Sequence, residues 1–453
     1  MPPFKVIVVG GGLSGALLAN GLANNGVDVT VYERDEAHSK RTGYQIRLGH
    51  AAIKGLRSCL TESHLSTILG KLGQSTSTTL TAPTLCNTRF QPVVDLSTLP
   101  GYSKSSAINR IVLRNLLLEP LEARDLVKFG ETFASYEIIS EKSGVERVSV
   151  HFKSGSSDTC DILVGADGSG SKVNKQVGAK NIVEIDSHWS FLEKGDIPVK
   201  QLGQLPSRLL KGPIIAMADG ISFFYSLYLP SGENVADSGI TYDEAEASFY
   251  WGLNVPKSMV PYKDATEISD RRQACLDAVR DWAPEYHKML AFGAEDRQTS
   301  EISVIALRSS KKLPKQWREQ ARARDGRSKE VGHPRVWLLG DAVHAMQPNR
   351  GMGGNQAMLD CADMLPELLE LARLAKANSF VSNEQVETGC MRYEERMLDR
   401  AFRWVAKSGG ISLPNLSFDG LLGAVVSAVS SLVVPVVRLY RRLFPAKESE
   451  ELL

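Results

Sequence analysis

The 453-residue chain lacks the features that mark secreted, metal-binding or nucleic-acid-binding proteins. Its six cysteines are widely spaced without a Cys-x-x-Cys pair, which argues against a zinc site or a disulfide framework and favours a reducing compartment. The formal net charge is only +1, so composition gives no general attraction to nucleic acid. The N-terminal apolar run is short and lacks a signal-peptide cleavage site. These absences predict a cytoplasmic protein with no metal site and no nucleic-acid partner.

One long uncharged run lies near the C-terminus at 420–437 and is followed by three arginines. Its length is at the low end for a membrane span. Its valines and leucines recur at helical spacing, which predicts a helix packed on the body of the protein or on a partner. Peripheral contact of residues 420–444 with a membrane surface is the alternative, which would make the protein membrane-associated.

What the N-terminus does contain is an ordered nucleotide-binding pattern. An apolar, β-branched run over 4–9 leads into Gly10-x-Gly12-x-x-Gly15, then a small-residue helix pattern, then a second strand ending at Glu33. In such a βαβ unit the glycines permit a tight turn, close approach of a pyrophosphate and close helix packing. The helix N-terminus presents unpaired N–H groups to the phosphates, and the acid can accept ribose hydroxyls. The sequence predicts a bound dinucleotide.

Two further strands end in Gly/Asp turns. The first is 161–168, which ends in Gly165-Ala166-Asp167-Gly168; the second is 335–341, which ends in Gly340-Asp341 and runs on into a helix. At the edge of a sheet, such a turn brings a carboxylate or backbone N–H to a polar ligand. Three such turns in this order indicate one shared site. Within the last helix, Pro366 predicts a kink or a break.

The middle and the late part of the chain differ in composition from the rest. Over about 185–300, alternating aromatic segments predict antiparallel strands. Alternate residues share a face, so Phe223, Tyr225, Phe249 and Trp251 either line a cavity that accepts an aromatic ligand or form plain core. Residues 308–335 carry ten Lys or Arg against three acids, which predicts a solvated loop or a mobile loop that attracts phosphate, with transient docking of NAD(P)H as a hypothesis.

On these motifs the chain resembles the class A FAD-dependent monooxygenases, the aromatic hydroxylases related to para-hydroxybenzoate hydroxylase. The resemblance covers residues 4 to about 400, with no motif in 185–300. One departure is Lys172 with Asn174, where the family usually has an arginine. The matching pieces are Gly10-x-Gly12-x-x-Gly15 with Glu33, Arg110 leading a helix, Gly165 to Gly168 with Ser171, Gly340-Asp341-Ala342-x-His344 through Pro348, Gly351, Gly353 and Asn355, and Tyr393-Glu394 with Arg396.

The resemblance implies an α/β fold, with a Rossmann-like FAD-binding domain of the glutathione-reductase type, an inserted β-sheet substrate domain and a C-terminal helical segment. The FAD-binding domain is expected over 1–184 and 300–404, and the substrate domain over 185–299 with a contribution from 73–100. Residues 405–453 would form the helical segment.

The resemblance also assigns roles in holding FAD. Arg110 would contact the ribityl–phosphate side and Asp167 the pyrophosphate. The ADP half of FAD would be held by Gly10, Gly12, Gly15 and Glu33.

Other assigned roles concern the flavin end of the cofactor. Asp341 would bind a ribityl hydroxyl, and Pro348 would lie by the ring. Gly353, Gly354 and Asn355 would open a helix aimed at the pyrimidine end, where a helix N-terminus stabilises the negative charge of reduced flavin.

The implied reaction is oxygenation of a small molecule by O2 and NAD(P)H through a C4a-hydroperoxyflavin. The substrate is expected to be apolar, aromatic or polycyclic, and a loose similarity to tailoring enzymes of fungal natural-product pathways points to a secondary metabolite. Arg47, Pro348 and Gly353 are candidates near the flavin, and no catalytic acid or base is named. A flavin oxidase or reductase, a halogenase and a non-catalytic binding protein are alternatives, although the Trp-x-Trp-x-Ile-Pro segment of halogenases is absent.

Overall fold

The structure is a computed structural model of the chain. It describes residues 4–37, 45–73, 81–99, 104–140, 144–236, 239–260, 262–293, 302–325, 328–413, 415–420, 423–426, 428–429 and 432.

The described residues contain twenty-one strands and eleven α-helices. The strands are β1 Lys5–Val9, β2 Asp28–Tyr32, β3 Gln45–Leu48, β4 Thr84–Cys86, β5 Pro92–Asp95, β6 Ser106–Asn109, β7 Val127–Lys128, β8 Phe133–Ser140, β9 Glu146–Phe152, β10 Ser157–Cys160, β11 Ile162–Gly165, β12 Ile182–Glu184, β13 His188–Asp196, β14 Ile214–Ala218, β15 Ile221–Tyr228, β16 Asn234–Val235, β17 Thr241–Tyr242, β18 Ser248–Pro256, β19 Ser303–Ile305, β20 Arg308–Ser310 and β21 Val336–Leu338. The helices are α1 Leu13–Asn24, α2 His50–Cys59, α3 Glu62–Gly70, α4 Arg110–Glu122, α5 Lys172–Gln176, α6 Arg271–Ala278, α7 Pro284–Ala291, α8 Trp317–Arg324, α9 Asp341–His344, α10 Gly353–Asn378 and α11 Asn383–Lys407.

The first layer is a five-stranded sheet in the order β21-β11-β1-β2-β7, and every neighbouring pair is parallel. Its strands read as continuous apolar runs such as Ile162–Gly165 because a parallel sheet is covered on both faces. Helices α1, α2 and α10 pack close together, and at Gly55 an added Cβ would lie 2.1 Å from the Met358 carbonyl oxygen. Close helix packing therefore fixes α10 beside the sheet.

The second layer is a seven-stranded sheet in the order β19-β13-β18-β15-β14-β4-β5. One face packs on α6 and α7 in a separate apolar core that contains Phe191, Phe223 and Trp251. Strands β4 and β5, from residues 84–95, belong to this sheet. Strand β19, at Ser303–Ile305, also belongs to this sheet.

Two local expectations from the sequence are corrected by the structure. The break expected at Pro366 is absent, since helix α10 runs through it over its 26 residues, whereas the kink stays a prediction. The segment at 308–335 is not a solvated loop, since it forms β20 and α8 and several of its cations are engaged. Arg318 is buried and pairs with Glu394 at 2.7 Å, because α8 packs against α11.

The same basic segment has a second buried cation. Arg335 is fully buried and donates to the carbonyl oxygens of Asp161 and Val381 and to the side chain of Asn383. A cation committed in this way is not available to a phosphate. Arg327, which belongs to the same prediction, lies outside the described residues.

The predicted C-terminal helical segment lies largely outside the described residues, which include 423–426, 428–429 and 432 as helical positions but nothing beyond. In the part of the chain that the structure describes, no helix has both the length and the apolar character needed to cross a bilayer.

Candidate active site

The polar turns predicted from the sequence meet at one edge of the five-stranded sheet. Because β1, β2, β11 and β21 are parallel neighbours, their carboxyl ends lie side by side. Gly10, Glu33, Ala166 and Gly340 follow these four strands in the chain. This edge is the crevice in which the remaining site residues are found.

The first and second motifs touch directly at Gly10. Its φ of +111° lies in the region that favours glycine, and an added Cβ would lie 2.4 Å from the Ala166 carbonyl oxygen. At Gly15 an added Cβ would lie 2.0 Å from the Gly10 carbonyl oxygen. Both positions therefore require glycine for packing within the protein itself.

Gly12 is different, because an added Cβ would meet nothing within 4 Å. It is the N-cap of α1 and has no side-chain cap. The N–H groups of Gly12, Leu13 and Ser14 find no acceptor among the described residues. Unpaired first-turn donors beside open space form a cradle that fits a phosphate group.

Glu33 is buried at the end of β2 and turns toward the first motif. One carboxylate oxygen accepts the Gly11 N–H at 2.9 Å, and the other accepts the Asp35 N–H at 3.0 Å. Arg114 lies 3.4 Å from the same carboxylate and donates to the Gly11 carbonyl oxygen at 2.8 Å. The acid is thus fixed against the glycine turn by a buried arginine.

Arg114 was missed by the sequence reasoning, which singled out Arg110. The two residues are four apart in α4 and so lie on one face of the helix, which is the signal that would have found Arg114.

The Asp167 carboxylate, which was expected to reach a pyrophosphate, accepts hydrogen bonds from its own turn. It accepts the Ser171 hydroxyl at 2.5 Å and the Lys172 N–H at 2.7 Å. Burial raises the pKa of this carboxyl, and these hydrogen bonds oppose the shift. The side chain therefore organises the entry to α5, while its backbone lies against Gly10.

The Asp341 side chain is exposed to solvent. Protein atoms nevertheless surround its carboxyl group at longer range. That low-dielectric surrounding raises the pKa of its carboxyl, while the nearby charges of His344 and Arg110 lower it and Asp360 raises it further. An added Cβ on Gly353 would lie 3.7 Å from an Asp341 carboxylate oxygen. The third motif, the start of α4 and the start of α10 thus converge.

A buried charge network supports this turn from behind. The Nε2 atom of His344 lies 2.6 Å from Asp360, which also accepts the Gly340 N–H at 3.0 Å. Arg400 donates to the other oxygen of Asp360 at 2.7 Å. Burial lowers the pKa of His344, but the Asp360 carboxylate outweighs it and leaves that pKa raised. Asp360 and Arg400 were not found from the sequence, because tertiary packing of α10 and α11 decides which of their side chains meet the turn.

The first turn of α10 also lacks a side-chain cap, and the N–H groups of Gly353, Gly354 and Asn355 have no acceptor in the described part of the chain. The Asn355 side chain is engaged elsewhere: it accepts the Gly49 N–H at 2.8 Å and donates to the Arg47 carbonyl oxygen at 2.7 Å. It therefore ties β3 to the helix, and only its backbone N–H points along the helix start.

Arg47 lies on β3, and its side chain reaches toward the seven-stranded sheet. It donates to Ser105 and Thr81 and lines a cavity of about 20 Å³ together with Ser226. That volume suits a single water molecule rather than a substrate. Pro348 is exposed at the start of a short 3-10 turn that leads to α10.

The aromatic residues selected from the sequence lie on the wrong face to form a substrate pocket. Phe223, Tyr225, Phe249 and Trp251 are fully buried in the core against α6 and α7. The opposite face carries Phe224, Tyr250 and Tyr228; Tyr228 packs under Gly73 and donates to the Lys71 carbonyl oxygen at 2.8 Å. On this opposite face, Ser226 lines a small cavity together with Arg47 of β3 and Ala107 of β6.

Comparison with known proteins gives one matching family model. It is described as "FAD binding domain" and matches residues 3–194 and 281–383, more than half of the chain.

Relatives and solved structures agree with that match. An FAD-dependent monooxygenase, dbaB, from Emericella nidulans is 27% identical over 374 residues, covering 80% of this chain and 86% of its own. A putative FAD-containing monooxygenase from Photorhabdus luminescens superposes with a TM-score of 0.67 at 22% identity, covering 90% of this chain and 98% of that one. Klebsiella pneumoniae HpxO, solved with FAD and uric acid, has a TM-score of 0.63 at 21% identity and covers 97% and 94%.

Proposed function

The chain belongs to the FAD-binding-domain family of class A FAD-dependent monooxygenases, and from that premise we propose that it uses NAD(P)H and O2 to oxygenate an apolar, aromatic or polycyclic small molecule. The observation that carries the proposal is the convergence of the glycine-rich turn after β1, the two Gly/Asp turns and the uncapped first turns of α1 and α10. Gly340 connects the two helices, since an added Cβ there would lie 2.8 Å from Ala357 of α10 and 3.2 Å from Ser14 of α1.

The residues of this edge fit FAD. The cradle at Gly12 would receive the pyrophosphate, and Glu33 at the end of β2 would hold the adenosine ribose. The charge of Arg110 lowers the pKa of the Asp341 carboxyl, and the ribityl chain would lie beside these two residues. Bound FAD would accept a hydride from NAD(P)H and activate O2.

The protein's part in the reaction is orientation and electrostatics. The first turn of α10, which has no side-chain cap, would direct its N–H groups and the positive end of its dipole at the pyrimidine end of a bound flavin ring. It would favour negative charge there by about 0.3–1 kcal/mol or more when buried. Asn355 and Asp360 keep β3 and the Gly340 turn in place, so the site does not need to reorganise during the reaction.

The substrate would bind between the flavin end of this crevice and the open face of the seven-stranded sheet. Leu192, Met217 and Phe224 on that face are partly exposed, whereas Phe191, Ala216 and Phe223 on the other face of the same strands are buried. A partly exposed apolar face beside a cofactor suits an aromatic ligand. The resemblance to fungal tailoring enzymes supports a secondary metabolite as the substrate.

The test is anaerobic reduction of the FAD-loaded protein by NADH or NADPH with candidate aromatic compounds present. We expect a true substrate to accelerate bleaching of the flavin absorbance. On admission of air, NAD(P)H consumption should then match product formed. Reduction and O2 consumption that release hydrogen peroxide but no oxygenated product would instead identify a flavin oxidase. Dependence of product on halide would identify a halogenase.

A further inference from the structure

The face of the seven-stranded sheet that points away from α6 and α7 carries a row made of Lys194, Tyr250 and Ser226, of which Lys194 is half-buried and the other two are buried. Lys194 lies opposite Tyr250 in the β13–β18 register, and Tyr250 lies opposite Ser226 in the β15–β18 register. The three therefore stand side by side on neighbouring strands, spanning about 10 Å at the usual strand spacing. Ser226 lines the same small cavity as Arg47, so the row ends beside β3.

The surroundings of Lys194 are apolar and aromatic. Leu192 is its neighbour on the same strand face, and the Tyr250 ring lies 6.0 Å from the Phe224 ring, measured between centroids. Among the strand residues of this face, Lys194 is the one Lys or Arg in the described ranges. Lys194 therefore places a positive charge beside these apolar and aromatic side chains.

Lys194 is half-buried, and its ammonium group makes neither a salt bridge nor a hydrogen bond to any described residue. Burial lowers the pKa of its ammonium group, and Asp196, exposed at the end of the strand, partly opposes that shift. A half-buried ammonium group that makes no salt bridge loses part of its hydration without gaining a hydrogen bond in exchange. An anionic ligand on the apolar face would restore that interaction.

On the basis of the proposed function, we propose that Lys194 selects the substrate class: an aromatic or polycyclic compound bearing a carboxylate or phenolate, whose ring lies on Phe224 and Tyr250 and whose anion meets the Lys194 ammonium. The aromatic side chains supply the apolar contact, which does not depend on orientation. The charge contact then fixes which edge of the ring system is presented to the flavin.

The test compares two ligands of equal size, hydroxynaphthoate and hydroxynaphthamide, on the FAD-loaded protein. Binding is followed by the change in flavin absorbance and, independently, by equilibrium dialysis. We expect the acid to bind about tenfold more tightly than the amide, as a partly buried charged hydrogen bond allows. Lys194→Met should reduce the ratio to about one by weakening the acid alone, and Lys194→Arg should restore most of the preference.

Lys200→Met is the matched control, because Lys200 is exposed in the same region and its loss changes the net charge equally. It should keep the preference of the unaltered protein for the acid. Equal affinity for the two ligands, failure of the protein to bind either, or an unchanged ratio in Lys194→Met would overturn the assignment. Failure of the proposed function is distinguishable, since it would appear as a protein that holds no FAD or does not oxidise NAD(P)H with any substrate.

Discussion

Gly12→Ala separates the cofactor site from the stability of the protein. Gly12 has φ −78° and ψ −174°, which alanine adopts without strain, and its Cβ would meet no protein atom within 4 Å. The cofactor-free protein should therefore keep its stability or gain up to about 1 kcal/mol, because alanine restricts the unfolded chain. Folding alone gives no reason for glycine at this position.

Binding of FAD should respond very differently. The added methyl group occupies the open space beside the first turn of α1, so a phosphate can no longer approach its N–H groups. Loss of two such charge-assisted hydrogen bonds at about 1.5–3 kcal/mol each weakens binding by about 3–6 kcal/mol. That corresponds to roughly a hundredfold to ten-thousandfold increase in Kd.

The assay is titration of cofactor-free protein with FAD by quenching of flavin fluorescence, with urea unfolding of the same preparations. Gly203→Ala is the control, since its Cβ also meets nothing within 4 Å but Gly203 lies away from the five-stranded sheet. Gly15→Ala should lose stability as well as FAD, because its Cβ would lie 2.0 Å from a backbone oxygen. A Gly12→Ala protein that binds FAD as tightly as the unaltered chain would refute the placement of the pyrophosphate.

Further predictions concern the residues that support the site. Arg114→Met should destabilise the cofactor-free protein by about 3 kcal/mol in urea unfolding, because Glu33 stays buried without its cation; a loss below 1 kcal/mol would contradict this. Asn355→Ala should lower the free energy of unfolding by about 2 kcal/mol, because the Gly49 N–H loses its acceptor. Thermal unfolding of the two proteins measures this loss. The raised pKa of His344 means that the folded protein holds the imidazole proton more tightly than the unfolded chain does. Its contribution to stability is therefore complete below about pH 6.5 and declines as the pH rises through the folded-state pKa. His344→Gln should flatten urea-unfolding stability across that window, and an unchanged pH profile would exclude the charged pair with Asp360.

The N-terminal βαβ unit was predictable because its signals are local. Strand, glycine turn, helix and acid follow one another within 33 residues, and the parallel arrangement then follows from the connection rule. The meeting of Gly10 with Ala166 follows in the same way, since β1 and β11 are parallel neighbours that end in turns.

The sequence did not show which face of the seven-stranded sheet packs against helices α6 and α7. Alternation correctly predicts that Phe223 and Phe224 point in opposite directions, but the packing of α6 and α7 decides which of them becomes core. Asp360 and Arg400 were beyond reach for a related reason, because each lies on a long helix whose orientation is set by tertiary packing. The cations at Arg318 and Arg335 looked solvated because their acceptors are distant in the chain.

The most direct test of the central claim is turnover of an accepted aromatic substrate by the FAD-loaded protein under isotopically labelled O2, with NAD(P)H oxidation and product mass measured together. The account predicts one labelled oxygen atom in the product for each NAD(P)H oxidised. A product without label, or NAD(P)H oxidation that yields only hydrogen peroxide with every substrate, would contradict it.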